Sequence, residues 1–91
     1  MAASEAFDLV IFDGAECRGA APKRCLAIED SVPGVTAATA AGMTAFGFFG
    51  ASHCRAGNGQ RLTAVGADLV FDAMRDLPAL IAQRNATFTT S

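Results

Sequence analysis

Cys25-Leu26-Ala27-Ile28-Glu29-Asp30-Ser31-Val32-Pro33-Gly34 is the stretch whose reading decides the fold. An apolar run ends in two adjacent carboxylates, and a proline and a glycine then open an alanine-rich segment. The pattern reads as strand, acidic turn, helix. Two carboxylates at the carboxyl end of a buried strand cost free energy unless something cationic sits with them. A hard, oxygen-seeking ion such as Mg²⁺ meets that need, and phosphate chemistry commonly employs one.

Working outward, residues 7–12 are apolar, β-branched and aromatic, and they stop at Asp13-Gly14. Their near-continuous apolar character predicts a parallel strand covered on both faces. Residues 15–18 read as a short helical piece closed by Gly19, and 25–28 as the second strand. A helix is expected over 33–41, with Pro33 in its first turn and Gly42 as its stop. A third strand follows over 44–49, then a polar loop through Gly59, a short helix over 60–65 and a fourth strand over 68–71. Leu77, Leu80 and Ile81 fall at helical spacing and predict an amphipathic helix over 74–84, followed by a frayed polar tail over 85–91. Strands alternating with helices argue for an α/β layer fold around a parallel sheet of about three to four strands. All 91 residues then form one domain. In such sheets ligands bind beyond the carboxyl ends of the strands. That rule places Asp13, Glu29 and Asp30 together on the functional rim.

Composition narrows the function. A hydrophobic share of 52% argues against disorder. Net charge is −2 and the seven Lys and Arg are scattered, so no basic stripe addresses nucleic acid. No apolar stretch approaches the roughly 18 residues of a membrane span, and residues 1–5 lack the basic start of a secretion signal. Three cysteines (Cys17, Cys25 and Cys54) without C-x-x-C spacing fit free thiols in a reducing, cytoplasmic setting better than a disulfide framework. One histidine and dispersed cysteines argue against zinc.

The residues 7–13 and 28–43 together resemble motifs of the haloacid dehalogenase superfamily, the first of which ends at a nucleophilic aspartate. Ile28-Glu29-Asp30-Ser31-Val32-Pro33-Gly34-Val35, continuing to Ala40-Ala41-Gly42-Met43, is similar to the fourth motif of its β-phosphoglucomutase and sugar-phosphate phosphatase branch. Gly66-Ala67-Asp68 and Leu77-Pro78 resemble the usual C-terminal end, so the likeness covers roughly residues 6–84. The resemblance implies a Rossmann-like three-layer core, truncated and partial over residues 1–91, and a Mg²⁺-dependent phosphatase acting on a small phosphorylated metabolite through an aspartyl-phosphate. Asp13 would be nucleophile and metal ligand, Glu29 and Asp30 further ligands, and Ser31 a hydroxyl at the phosphate-facing helix N-terminus.

The sequence departs from that pattern. Gly14-Ala15-Glu16 follows Asp13 where the family carries a second aspartate as general acid and base. Eleven residues, 14–24, separate Asp13 from Cys25, which leaves no room for the family's cap, its Ser/Thr strand or its lysine segment. Lys23 lies in that connection, off the motif lysine's position. Impaired or absent turnover is therefore expected. Loss of the neighbouring segment also predicts that strand 7–12 sits at a sheet edge, where it invites self-association or a partner strand.

Plainer readings stand beside these. Asp13 before glycine is a common turn residue, and Asp30 or Ser31 serves equally as a helix cap. His53 reads as a solvated loop residue, Cys25 as a small core hydrophobe, and Phe46, Phe48 and Phe49 as packing residues. Gly57-Asn58-Gly59 lacks the third glycine of a dinucleotide loop, and the sequon at Asn85 carries no meaning in a cytoplasmic chain.

Overall fold

Four apolar runs become four strands: β1 (Leu9–Phe12), β2 (Cys25–Glu29), β3 (Thr44–Phe48) and β4 (Leu69–Phe71). The computed structural model describes residues 7–50 and 57–90, with side chains described through residue 85. All neighbouring strands are parallel, in the order β1-β2-β3-β4. The helices are α1 (Val32–Ala40), α2 (Asn58–Ala64) and α3 (Leu77–Thr90).

Alternation along the strands sorts the layers by side-chain size. Ala27 and Ala45 share a cluster with Ile11, Val35 and Ala38 of α1 and Leu62 of α2. Leu26, Ile28, Phe46 and Phe71 point the other way and pack with Leu77, Leu80 and Ile81 of α3. Small residues thus face α1 and α2, which lie close on the sheet, and bulky ones fill the gap beneath α3. A methyl on Gly47 would sit 2.9 Å from Leu62 Cβ, so the bare backbone of β3 is what admits Leu62. Phe46 is wholly buried, with Phe7 edge-on at 6.5 Å.

The expected elements are present, with three differences. Residues 15–18 are irregular, and the crossover carries only a short 3-10 turn at Pro22–Arg24. A four-residue helix has too few internal hydrogen bonds to hold itself. Helix α3 starts at Leu77 after a 3-10 turn over Met74–Asp76, and runs on to Thr90 through most of the segment read as a tail. Asn85 on that extension accepts a hydrogen bond from the Phe7 N–H at 3.3 Å, which ties the helix to the start of β1. The cysteines depart most. Cys17 and Cys25 are joined as a disulfide, their Cα atoms 6.3 Å apart, where the sequence argued for free thiols. Spacing along the chain gives no hint of a contact made by folding the crossover back onto β2. Lys23 lies in the connection just before β2, where the sequence placed it.

The crossover is pinned at its far end by Arg24, whose guanidinium makes two 2.6 Å hydrogen bonds to the Asp8 carboxylate. That hydrogen bonding holds the Asp8 carboxyl below its ordinary value and raises Arg24. Strand β1 lies at the sheet edge, as expected, and among the described residues no strand covers its outer side. No helix of the described residues is long and apolar enough to cross a membrane.

Candidate functional site

Because every strand is parallel, their carboxyl ends share one rim. Asp13 follows β1, Glu29 ends β2 and Asp30 follows it, and Asp72 follows β4. Asp72 is an exposed rim carboxylate that sequence reading passed over, although Phe71-Asp72 repeats the strand-then-acid pattern of Phe12-Asp13.

Asp13 and Gly14 are the two central residues of a tight turn closed by the Ala15 N–H donating to the Phe12 carbonyl at 3.1 Å. Both have positive φ, 32° at Asp13 and 77° at Gly14. Aspartate tolerates that region better than most side chains, and glycine occupies it freely, so Asp-Gly is the chemistry this turn asks for. The turn leaves the Asp13 side chain exposed, while its N–H extends the ladder to the Ile28 carbonyl at 3.1 Å.

Glu29 is differently placed. It is the one buried charged residue among those described, 7% exposed. Its Oε2 accepts a hydrogen bond from the Gly14 N–H at 3.0 Å. On its other side it abuts helix α1: a methyl on Gly34 would overlap Oε1 and lie 2.9 Å from Cδ. Glu29 therefore bridges the turn after β1 and the first turn of α1. Ser31 is the helix cap, its Oγ accepting from the Gly34 N–H at 3.1 Å, and Asp30 is half-buried beside it. Of the two candidate caps, the serine takes the role.

The rim therefore brings Asp13 and Glu29 to neighbouring strands, but it does not gather them for a metal. Among the described residues, no three His, Cys, Asp or Glu side chains are grouped closely enough to hold one. As arranged, the described residues do not fit Mg²⁺, because the buried Glu29 and the exposed Asp13 are not grouped with a third ligand.

Other candidates separate from the rim. Lys23 is exposed at the amino end of β2, and the five residues of that strand lie between it and Asp30. At roughly 3.3 Å per residue, a lysine side chain does not span that distance. Gly57 and Gly59 flank the start of α2, with Gly57 at φ 81°. With Phe49, Gln60 and Val70 they line an apolar groove of about 760 Å³, which offers little to a phosphate. His53 and Cys54 lie outside the described residues.

A four-stranded parallel sheet between helices, with an aspartate after its first strand and a Glu-Asp pair after its second, defines a haloacid dehalogenase-like core. The chain is 48% identical to a conserved haloacid dehalogenase-like protein of unknown function from Agrobacterium tumefaciens, whose crystal structure it matches with a TM-score of 0.71. The match covers 72% of this chain and 30% of that one. The chain thus has a haloacid dehalogenase-like fold, is related to that protein, and spans under a third of its length. No family model and no curated protein match it.

Proposed function

We propose that this chain is a haloacid dehalogenase-like core fragment of phosphatase ancestry that does not turn over phosphate esters by itself. The observation that supports this reading is that, among the described residues, no three possible ligands are grouped to hold a cation at the rim; Glu29 is instead buried with its Oε2 on the Gly14 N–H. Asp13 keeps the position of a nucleophile at the end of β1, exposed to an incoming phosphoryl group. Nucleophilic attack needs the phosphate's charge offset and the leaving group protonated. Gly14-Ala15-Glu16 supplies no second aspartate for that proton, and Lys23 sits at the opposite end of β2. General acid–base help alone is worth about 10²–10⁴-fold.

Hydrolysis of p-nitrophenyl phosphate with and without Mg²⁺ tests this. The expected result is background turnover, equal in the native chain and in Asp13→Asn. Asparagine suits the positive φ of this turn, so the substitution leaves the fold intact. Mg²⁺-dependent turnover removed by Asp13→Asn would overturn the proposal.

The edge position of β1 favours a second reading, in which the fragment self-associates through that strand. Phe12 closes β1 and is 50% exposed, and an apolar edge is a template for strand pairing. Light scattering at high micromolar concentration is expected to find oligomers, and Phe12→Lys to return monomer. A monomeric native chain contradicts it. Residence in the cytoplasm, read from the sequence, requires the Cys17–Cys25 bond to be reversible, because reducing compartments keep most thiols open.

A further inference from the structure

We propose that Cys17 and Cys25 are a reversible thiol–disulfide couple, oxidised by low-molecular-weight disulfides of the glutathione class, that sets the freedom of the β1–β2 crossover. The inference is independent of whether the rim hydrolyses anything.

Cys25 opens β2 and is wholly buried, whereas Cys17 belongs to the irregular crossover and is half-buried against the cluster of Ile11, Ala27 and Val35. Their 6.3 Å Cα separation lies within the range that a disulfide bridges without backbone movement. The two ends of the crossover are held without the bond. Gly14 is tied to Glu29 at the start, and Arg24 to Asp8 at the finish. Strand pairing from Leu9–Cys25 to Phe12–Ile28 is backbone hydrogen bonding and does not depend on sulfur. Opening the bond therefore leaves the sheet paired and releases only the residues between the two ties.

The difference in burial orders the chemistry. Cys17 is the sulfur a solute can reach. Its thiolate attacks one sulfur of the oxidant, the oxidant's S–S bond breaks, and one small thiolate leaves. Cys25 then loses its proton and attacks the Cys17 sulfur, expelling the second small thiolate. Two protein thiols lose two electrons and two protons in all, and one small disulfide becomes two thiols. Excess small thiol runs the steps backwards.

The test uses the full chain carrying Cys54→Ser, equilibrated in glutathione buffers from fully reducing to fully oxidising, then alkylated and mapped by mass spectrometry. The expected result is a transition from two alkylated cysteines to a Cys17–Cys25 cross-link, reversed on return to reducing buffer. Limited trypsin digestion reads the second half of the proposal: cleavage after Arg18, in the released segment, is expected to be faster in the reduced form. Cys17→Ser should abolish the cross-link and cleave at the reduced rate in every buffer. Should that variant not fold, the comparison of buffers on the Cys54→Ser chain decides alone. Cysteines that stay alkylatable in oxidising buffer, a cross-link that glutathione does not open, or equal Arg18 cleavage in both forms would each overturn the proposal.

Discussion

Phe46→Ala is expected to remove about 3–5 kcal/mol of stability, the usual cost of deleting a fully buried aromatic ring. Among the described residues Phe46 is the largest side chain completely removed from solvent, on the inner strand β3, in one cluster with Leu26, Ile28, Phe71 and Leu77. Its opposite face is not spare volume, because β3 turns Ala45 and Gly47 toward α1 and α2, where Leu62 already fills the space. No neighbour can relax into the hole from that side. Small domains hold only about 0.05–0.15 kcal/mol per residue, so the loss is a large fraction of the total. A thermal melt followed by circular dichroism should fall by at least about 12 °C. A shift of a degree or two would show that the sheet and α3 are not packed as described.

The second large effect concerns the rim. Gly34→Ala places a methyl into Glu29 Oε1. Glu29 is buried and holds the Gly14 N–H, so its carboxylate cannot swing away without losing that bond. Overpacking of this kind costs about 1–3 kcal/mol, despite alanine's advantage of about 1 kcal/mol over glycine within a helix. The same substitution made with Glu29→Ala meets no carboxylate and should be close to neutral. The cycle of single and double variants, read by urea denaturation, is expected to give a coupling of at least about 1 kcal/mol. Equal costs of Gly34→Ala in both backgrounds would contradict the contact.

Much of this was open to a reader of the sequence, and the reasons differ by element. The strands were legible because each is an apolar run bounded by glycine or aspartate, and parallel order follows from helices placed between them. The rim carboxylates were legible because Asp13 and Glu29-Asp30 fall at strand ends. The partner of Glu29 was not, since a backbone N–H has no letter in the sequence and Gly14 offers only its amide. Cys17 and Cys25 were illegible as a pair for a related reason: their meeting depends on how the crossover folds back, which local spacing does not encode. The irregular path of residues 15–18 reflects a stretch too short to hold itself as a helix. Extension of α3 to Thr90 was hidden because the polar residues after Arg84 lack apolar periodicity, and the anchor at Asn85 is a side chain meeting the Phe7 backbone.

Glu29 bridges the β1 turn and helix α1, and we expect it to hold no Mg²⁺ there; a Mg²⁺ titration followed by amide NMR decides this. The Gly14 amide is the reporter, because its proton is donated to Glu29 Oε2. The Gly14 resonance is expected to stay in place through millimolar Mg²⁺ and to move in Glu29→Ala without any metal. A saturable Mg²⁺-dependent shift of Gly14, lost in Glu29→Gln, would contradict it.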